Sequence, residues 1–388
     1  MRIWHKGLDG IHAFYMNGLL RSLFMSMTAI FVPIFIYSLY ESLIQVVLYY
    51  IVQRLIVIAF AFPISKLIEN IGFRRSIAIS VLLLMGNTLS LYFSKDNFYF
   101  LYLAVFFEGL QVPIYWISRD SALSQDVGDK VMGKSMGYLT VLENIASLLG
   151  PFAGGVIILL LGYQALFAVA FVILALSLVP LWTMHSHTHK NGVSIKGFWY
   201  FLTDGRYLHQ VVANFGASMN DYGNGVIWPL ILMFASITDA RLGAIYSITA
   251  IAAIIVNYVA GPWFDSLRRR KDYADEGVYG FTALMMSFTW ILRFFVRGIG
   301  VIITLDIFRQ LFGSVYGNFY SDYLHLGGKR NGSIAYWVYM EIVYSFGAII
   351  LFSIMLLGIY LGIWKELVIG TIALWSLATI VMARESNL

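Results

Sequence analysis

An all-α membrane protein, with twelve transmembrane helices divided into two pseudo-symmetric six-helix bundles, is predicted by three observations. Hydrophobic residues make up 60% of the chain and charged ones only 12%, with a mean hydropathy of +0.76; a soluble domain averages about 25% charged residues. Apolar runs long enough to cross about 30 Å of hydrocarbon as helices, roughly 20 residues each, occur twelve times. One short charged stretch occurs twice, 196 residues apart, about half of the 388 residues. Lipid leaves no partner for an open sheet edge, so runs of this length read as helices and not as barrel strands.

The predicted crossings are 12–38, 43–64, 76–94, 98–117, 134–160, 164–183, 207–234, 242–264, 278–296, 299–321, 333–360 and 363–383. The first follows Met1-Arg2-Ile3-Trp4-His5-Lys6 with no small-residue cleavage site, so it reads as a retained helix and not a removed signal. Its Ile30-Phe31-Val32-Pro33-Ile34 is matched in the seventh by Val226-Ile227-Trp228-Pro229-Leu230, again 196 residues on. Gly162 and Gly298 mark short joints after the fifth and ninth crossings. The seventh is the most polar, and Gly216, Gly223 and Gly225 give it places to bend. The halves are 1–183 and 207–388, with 184–206 as the linker between them. Within the linker, Phe198, Trp199, Tyr200 and Phe201 read as a segment lying on the membrane surface.

Lysine and arginine set the orientation. Eighteen of the 26 lie at the termini or in even-numbered connections, and four on the opposite side. That bias places both termini and the linker in the cytoplasm, in a cell membrane. The net charge of +5 is then a loop property and calls for no nucleic-acid partner. The chain has no cysteine, which excludes disulfides, thiolate catalysis and cysteine-ligated metal. It also allows a clean test. A cysteine at Thr188 in the linker is expected to resist an impermeant external thiol reagent in intact cells; labelling there would reverse the orientation.

The first copy of the charged stretch is Ser65-Lys66-Leu67-Ile68-Glu69-Asn70-Ile71-Gly72-Phe73-Arg74-Arg75, and the second runs from Gly261 through Asp265 to Arg270 and Lys271. It resembles the G-x-x-x-D-x-x-G-x-R-R loop of the major facilitator superfamily. Ser65 stands for the first glycine, Glu69 for the aspartate, and Arg268 for the second glycine of the second copy. The resemblance implies parallel halves related by an axis along the membrane normal, with the site between them near the midplane. It also implies a conformational gate built from Glu69, Gly72, Arg74, Arg75, Asp265, Arg268 and Arg270, with Arg119 and Asp120 as partners. In the fifth crossing, Gly137, Ala146, Gly150-Pro151 and Gly154-Gly155 look like the fifth-helix signature of the drug/proton antiporter branch, which implies export. Small residues let another helix approach, and Pro151 removes a donor and bends the helix. The fourth crossing departs from that branch: where R-x-x-Q-G is usual, Val105 and Glu108-Gly109 stand.

Acids inside the membrane carry the chemistry. An ionised side chain at the bilayer centre costs about 2.5–3.5 kcal/mol, so each needs a cation, a wet cavity or a proton. Glu108 and Asp306 are 198 residues apart, and so are Glu143 and Glu341. Asp306 has Arg309 within a turn, which reads as an ion pair. Glu108 has no base within a turn on its own helix and is the expected proton carrier, with Glu341 second, then Glu143 and Asp306. The competing reading pairs the acids structurally with Arg21, Arg54, Arg293 or Arg309. By resemblance, the first, fourth, seventh and tenth helices line the cavity, which brings in Asn17, Arg21, Gln111, Asp221, Asn224, Trp228 and Arg309. Aromatic residues there suit an amphipathic or cationic organic substrate. His185, His187 and His189 alternate in the linker, but no carboxylate nearby completes a metal site, and no cofactor is expected. No nucleotide loop or nucleophile constellation points to an enzyme.

The expected function is secondary active transport of a small amphipathic organic molecule by alternating access. Proton-coupled efflux by a single chain in the lipid bilayer is the leading form. Uptake, or flipping of a lipid-linked substrate, is the alternative within transport. A non-transporting receptor or membrane-embedded enzyme on the same scaffold is the alternative of a different class.

Overall fold

The computed structural model describes residues 8–126, 129–182, 192–270, 275–296, 298–330 and 333–378. The linker histidines lie outside them, as do the side-chain surroundings of Gly137, Asp265, Arg268 and Arg270. All regular structure among the described residues is helical.

The first crossing is two helices, α1 (Leu8–Thr28) and α2 (Val32–Tyr40). Pro33 sits in the first turn of α2, where its missing N–H forfeits no bond. Gly72 alone joins α3 (Leu43–Ile71) to α4 (Phe73–Phe93). Its φ of 80° lies where a side chain is disfavoured, so the charged stretch needs a glycine to redirect the chain in one residue. α5 (Tyr99–Asp126) follows. α6 (Asp129–Leu181) spans 53 residues and holds two predicted crossings, broken at Gly162 with φ 82° and ψ 176°.

The linker contains α7 (Ile195–Thr203), whose cap Ser194 accepts the Gly197 N–H at 3.0 Å. Phe198 and Phe201 pack on Tyr339, while Trp199 and Tyr200 are 62% and 61% exposed. α8 (Gly205–Tyr222) runs through a π-helical turn, Gly223–Ile227, into α9 (Trp228–Phe234). Then come α10 (Asp239–Arg270), α11 (Asp275–Leu292), α12 (Ile299–Arg330), α13 (Ser333–Leu361) and α14 (Trp364–Ala378). With α1–α2 and α8–α9 as one crossing each, α6 as two and α7 apart, the layout has twelve crossings. Seven of the described helical stretches are long and apolar enough to span a membrane on length and composition alone.

Within the first half α1 lies along α6, and α5 along α3 and α4; within the second, α14 packs on α11 and α13, and α13 on α8. The halves meet through α3 with α13 and through α6 with α10. An axis exchanging the halves takes the second crossing to the eighth and the fifth to the eleventh. These two interfaces are therefore one interface met twice, as parallel repeats require. The outer surface is apolar: Leu160 and Leu161 are each 71% exposed and Tyr360 87%. In water such a belt would be an aggregation surface; against lipid it is the ordinary exterior.

Candidate functional site

A cavity of about 550 Å³ lies between the halves. Arg21, Gln111, Glu108, Arg119, Glu143 and Asp221 line it, whereas Asn17, Asn224, Trp228, Asp306, Arg309 and Glu341 are not among its lining residues. The halves touch on both sides of it. Toward the linker, Ile64, Ile68, Ile114 and Ile117 pack with Leu324, Ile334 and Trp337, and Trp337 Nε1 donates to Ser124 Oγ at 3.2 Å. On the far side, the Tyr50 and Phe352 rings stack at 5.2 Å and Tyr37 meets Phe234 edge-on at 5.1 Å.

On the first-half wall the helical repeat places Glu108, Gln111 and Tyr115 on one face of α5. Arg21 of α1 is 3% exposed and donates from Nη2 to Gln111 Oε1 at 2.7 Å. Its guanidinium lies over the Tyr115 ring, 3.5 Å from the centre. Gln111 in turn donates to Glu108 Oε1 at 3.0 Å. Glu108 thus holds an amide, and no ion pair to it occurs among the described residues. Asn17 donates to the Ser177 carbonyl at 2.9 Å, tying α1 to α6 away from the cavity.

Arg119, expected to partner the loop charges, pairs instead with Glu143 at 2.7 Å and Asp120 at 3.5 Å. Arg74 donates to the Trp182 carbonyl at 2.8 Å, Arg75 is exposed, and Glu69 is partly buried at the end of α3.

The expected Asp306–Arg309 pair is corrected. Arg293 Nη2 contacts Asp306 Oδ1 at 2.5 Å, and Trp228 Nε1 donates to the other carboxylate oxygen at 3.0 Å. Arg293 is clamped between the rings of Trp228 and Trp290, 4.2 and 4.3 Å from their centres, and Nη1 reaches Asn224 Oδ1 at 2.8 Å. Arg309 donates to Gln310 at 2.5 Å. A spacing of three residues makes two side chains neighbours, but the clamp of indoles delivers a better-aimed guanidinium from another element.

Glu341 pairs across the halves with Arg54 of α3, at 2.8 Å. Arg54 Nε also donates to Tyr222 Oη, which donates to Gln53 Oε1 at 3.1 Å. Gln53, Arg54, Asn87 and Thr88 line the cavity without having been assigned to it from sequence. Their signal was present, since each is polar inside an apolar crossing, but the resemblance assigned the lining to other helices.

The glycines of the fifth crossing admit two helices. A Cβ on Gly150 or Gly154 would run into Ser26 or the Met27 carbonyl of α1; one on Gly155 would run into the Asp239 carbonyl of α10. From the α10 side, a Cβ on Gly243 would strike the Pro151 carbonyl oxygen, and Ser247 Oγ accepts the Phe152 N–H at 3.0 Å. Gly243→Leu is expected to force α10 off α6 and to raise several-fold the rate at which a cysteine at Ala29, on the cavity wall, is labelled. An unchanged rate would show that this contact does not hold the halves together. Among the described residues no group of three or more His, Cys, Asp or Glu is placed to hold a metal.

A family model described as the Major Facilitator Superfamily matches residues 14–202. No curated protein matches the chain by sequence. Solved structures similar to it include a bacterial homologue of the iron transporter ferroportin, outward-facing, at 16% identity and TM-score 0.73, covering 97% of this chain and 99% of that one. The E. coli fucose:proton symporter FucP is similar at 14% identity and TM-score 0.70, covering 98% and 99%. The human organic anion transporter MFSD10 is similar at 11% and 0.68, covering 97% and 99%. At these identities the likeness is one of fold.

Proposed function

We propose that this chain, whose residues 14–202 match the Major Facilitator Superfamily model, is a membrane transporter of that superfamily and not an enzyme, and that it exports a small organic molecule in exchange for protons. One observation carries the coupling. Glu108 faces the cavity and holds only an amide, while Glu143, Glu341 and Asp306 each hold an arginine at 2.8 Å or less. A proton arriving at one of those three must displace a guanidinium. At Glu108 it need displace nothing, and the lost charge is felt by Arg21 through Gln111. Protonation then changes how firmly Arg21 is held on the cavity wall, which is where coupling to a substrate has to act.

Export is supported by the likeness of Gly150, Pro151, Gly154 and Gly155 to the antiporter signature. In this reading 1–183 and 207–388 rock as bodies joined by 184–206, with both termini cytoplasmic. One chain suffices, because both cavity walls come from it. The test uses proteoliposomes holding a trapped pH dye and a panel of candidate substrates. Uphill movement of a substrate with protons moving the opposite way is expected. Protons moving the same way would make the chain an uptake symporter, and substrate movement without protons would overturn the coupling.

A further inference from the structure

Two side chains on opposite cavity walls carry opposite charges with hydrogen-bonding capacity unused. The cavity arginines differ in how they are met. Arg54 has Glu341 at 2.8 Å and Arg119 has Glu143 at 2.7 Å. Arg21 has the Gln111 amide and the Tyr115 ring but no carboxylate in an ion pair among the described residues, and its Nη1, fully buried, has no hydrogen-bond partner there. A buried polar hydrogen left without an acceptor costs about 1–3 kcal/mol, more on a charged group. A guanidinium is best completed by an oxyanion, whose two oxygens match its fork. On the wall from the second half, Asp221 is exposed to the cavity. Tyr344 Oη donates to it at 2.8 Å, and no ion pair to Asp221 occurs among the described residues.

We propose that the substrate is a small zwitterion, with its carboxylate or equivalent oxyanion on Arg21 and its ammonium group on Asp221. This rests on the transport reading and names the substrate class of that site. A simple anion would satisfy Arg21 and leave Asp221 uncompensated; a simple cation would do the reverse. A zwitterion satisfies both. Because Arg21 stands on α1 and Asp221 on α8, it also ties one half of the molecule to the other, which favours the closed arrangement of the halves over either open one. Tyr49, Tyr50 and Tyr222 line the same cavity and give it aromatic surface for the rest of the molecule. The volume of about 550 Å³ lies within the range of small-molecule sites.

The test is ligand-induced thermal stabilisation of the purified full-length protein in detergent, with no gradient imposed. The probes are three matched sets built on alanine, leucine and phenylalanine, each comprising the amino acid, its decarboxylated amine and its deaminated acid. At least one amino acid is expected to bind, with its amine and its acid each about tenfold weaker, the worth of one charge-assisted hydrogen bond. In Arg21→Gln the amino acid should bind no better than its amine, and in Asp221→Asn no better than its acid. Arg21→Lys keeps the charge without the fork, and should retain the preference at reduced affinity should Arg21→Gln fail to fold. Equal binding of an amino acid and either counterpart, or binding of no amino acid in the panel, overturns the proposal. Proton coupling is not read in this assay, so its failure and the failure of the transport reading are separate results.

Discussion

Asp306→Ala is expected to cost about 3–5 kcal/mol of stability, the penalty for stranding one partner of a buried ion pair. The two side chains are 1% and 4% exposed and 2.5 Å apart. Removing the carboxylate leaves Arg293 held between two indoles with Asn224 as its remaining partner, and takes the acceptor from Trp228 Nε1. Neither group can turn to water, because both indoles are 1% exposed. Asp306→Asn keeps an acceptor and loses the charge, so a smaller loss is expected. Removing both charges with Asp306→Ala and Arg293→Met should recover much of it, since an apolar replacement of a buried pair is often neutral. Thermal unfolding in detergent, followed by tryptophan emission, measures all three. A melting temperature for Asp306→Ala equal to that of the parent would show that Arg293 is compensated elsewhere. The same network makes Asp306 a brace for the seventh and tenth crossings, and transport per folded molecule is expected to survive in Asp306→Asn.

The fold was legible because lipid restricts the choices. A run of about 20 apolar residues can do little but cross as a helix, and a repeat at 196 residues can hardly arise unless the halves are related. The π turn at Gly223–Ile227 was not legible. It is held by Tyr246 donating to the Asn224 carbonyl at 2.7 Å and by Asn224 reaching the Asn220 carbonyl at 2.8 Å, and the first of these comes from the next crossing. The glycines around it signalled only that the chain could bend. In the site, the acids were legible because a charge in hydrocarbon is costly and stands out; Arg54 and Arg293 stood among their candidate partners, but which acid each meets was not legible. Arg54 and Glu341 are 287 residues apart in the chain, and nothing local to either names the other. Arg309 looked like the partner of Asp306 because neighbours on one helix are all that a sequence displays. Asn87 and Thr88 were passed over because the resemblance, and not their own polarity, decided which helices faced the cavity.

Glu108→Gln is expected to abolish gradient-driven accumulation while leaving substrate binding and downhill exchange largely intact. Glutamine has the same shape and still offers an oxygen to Gln111 Nε2, whose present contact is 3.0 Å, so the link to Arg21 survives. What disappears is the ability to take up and release a proton. One proton moving down a gradient of one pH unit supplies about 1.4 kcal/mol, enough for roughly tenfold accumulation. In the variant that ratio should fall to unity, with flux down the substrate's own gradient persisting. Two other substitutions separate coupling from neighbouring roles. Asp221→Asn should weaken binding of a zwitterion while leaving the pH response of whatever flux persists. Glu341→Gln should loosen the bridge between the halves at Arg54, 2.8 Å away, and lower stability before it alters coupling. The decisive measurement is accumulation in proteoliposomes under an imposed pH gradient, with parent and variants at matched protein density. Full accumulation by Glu108→Gln removes Glu108 from the mechanism, and no accumulation by the parent under the pH gradient makes a uniporter, or a different driving ion, the better reading.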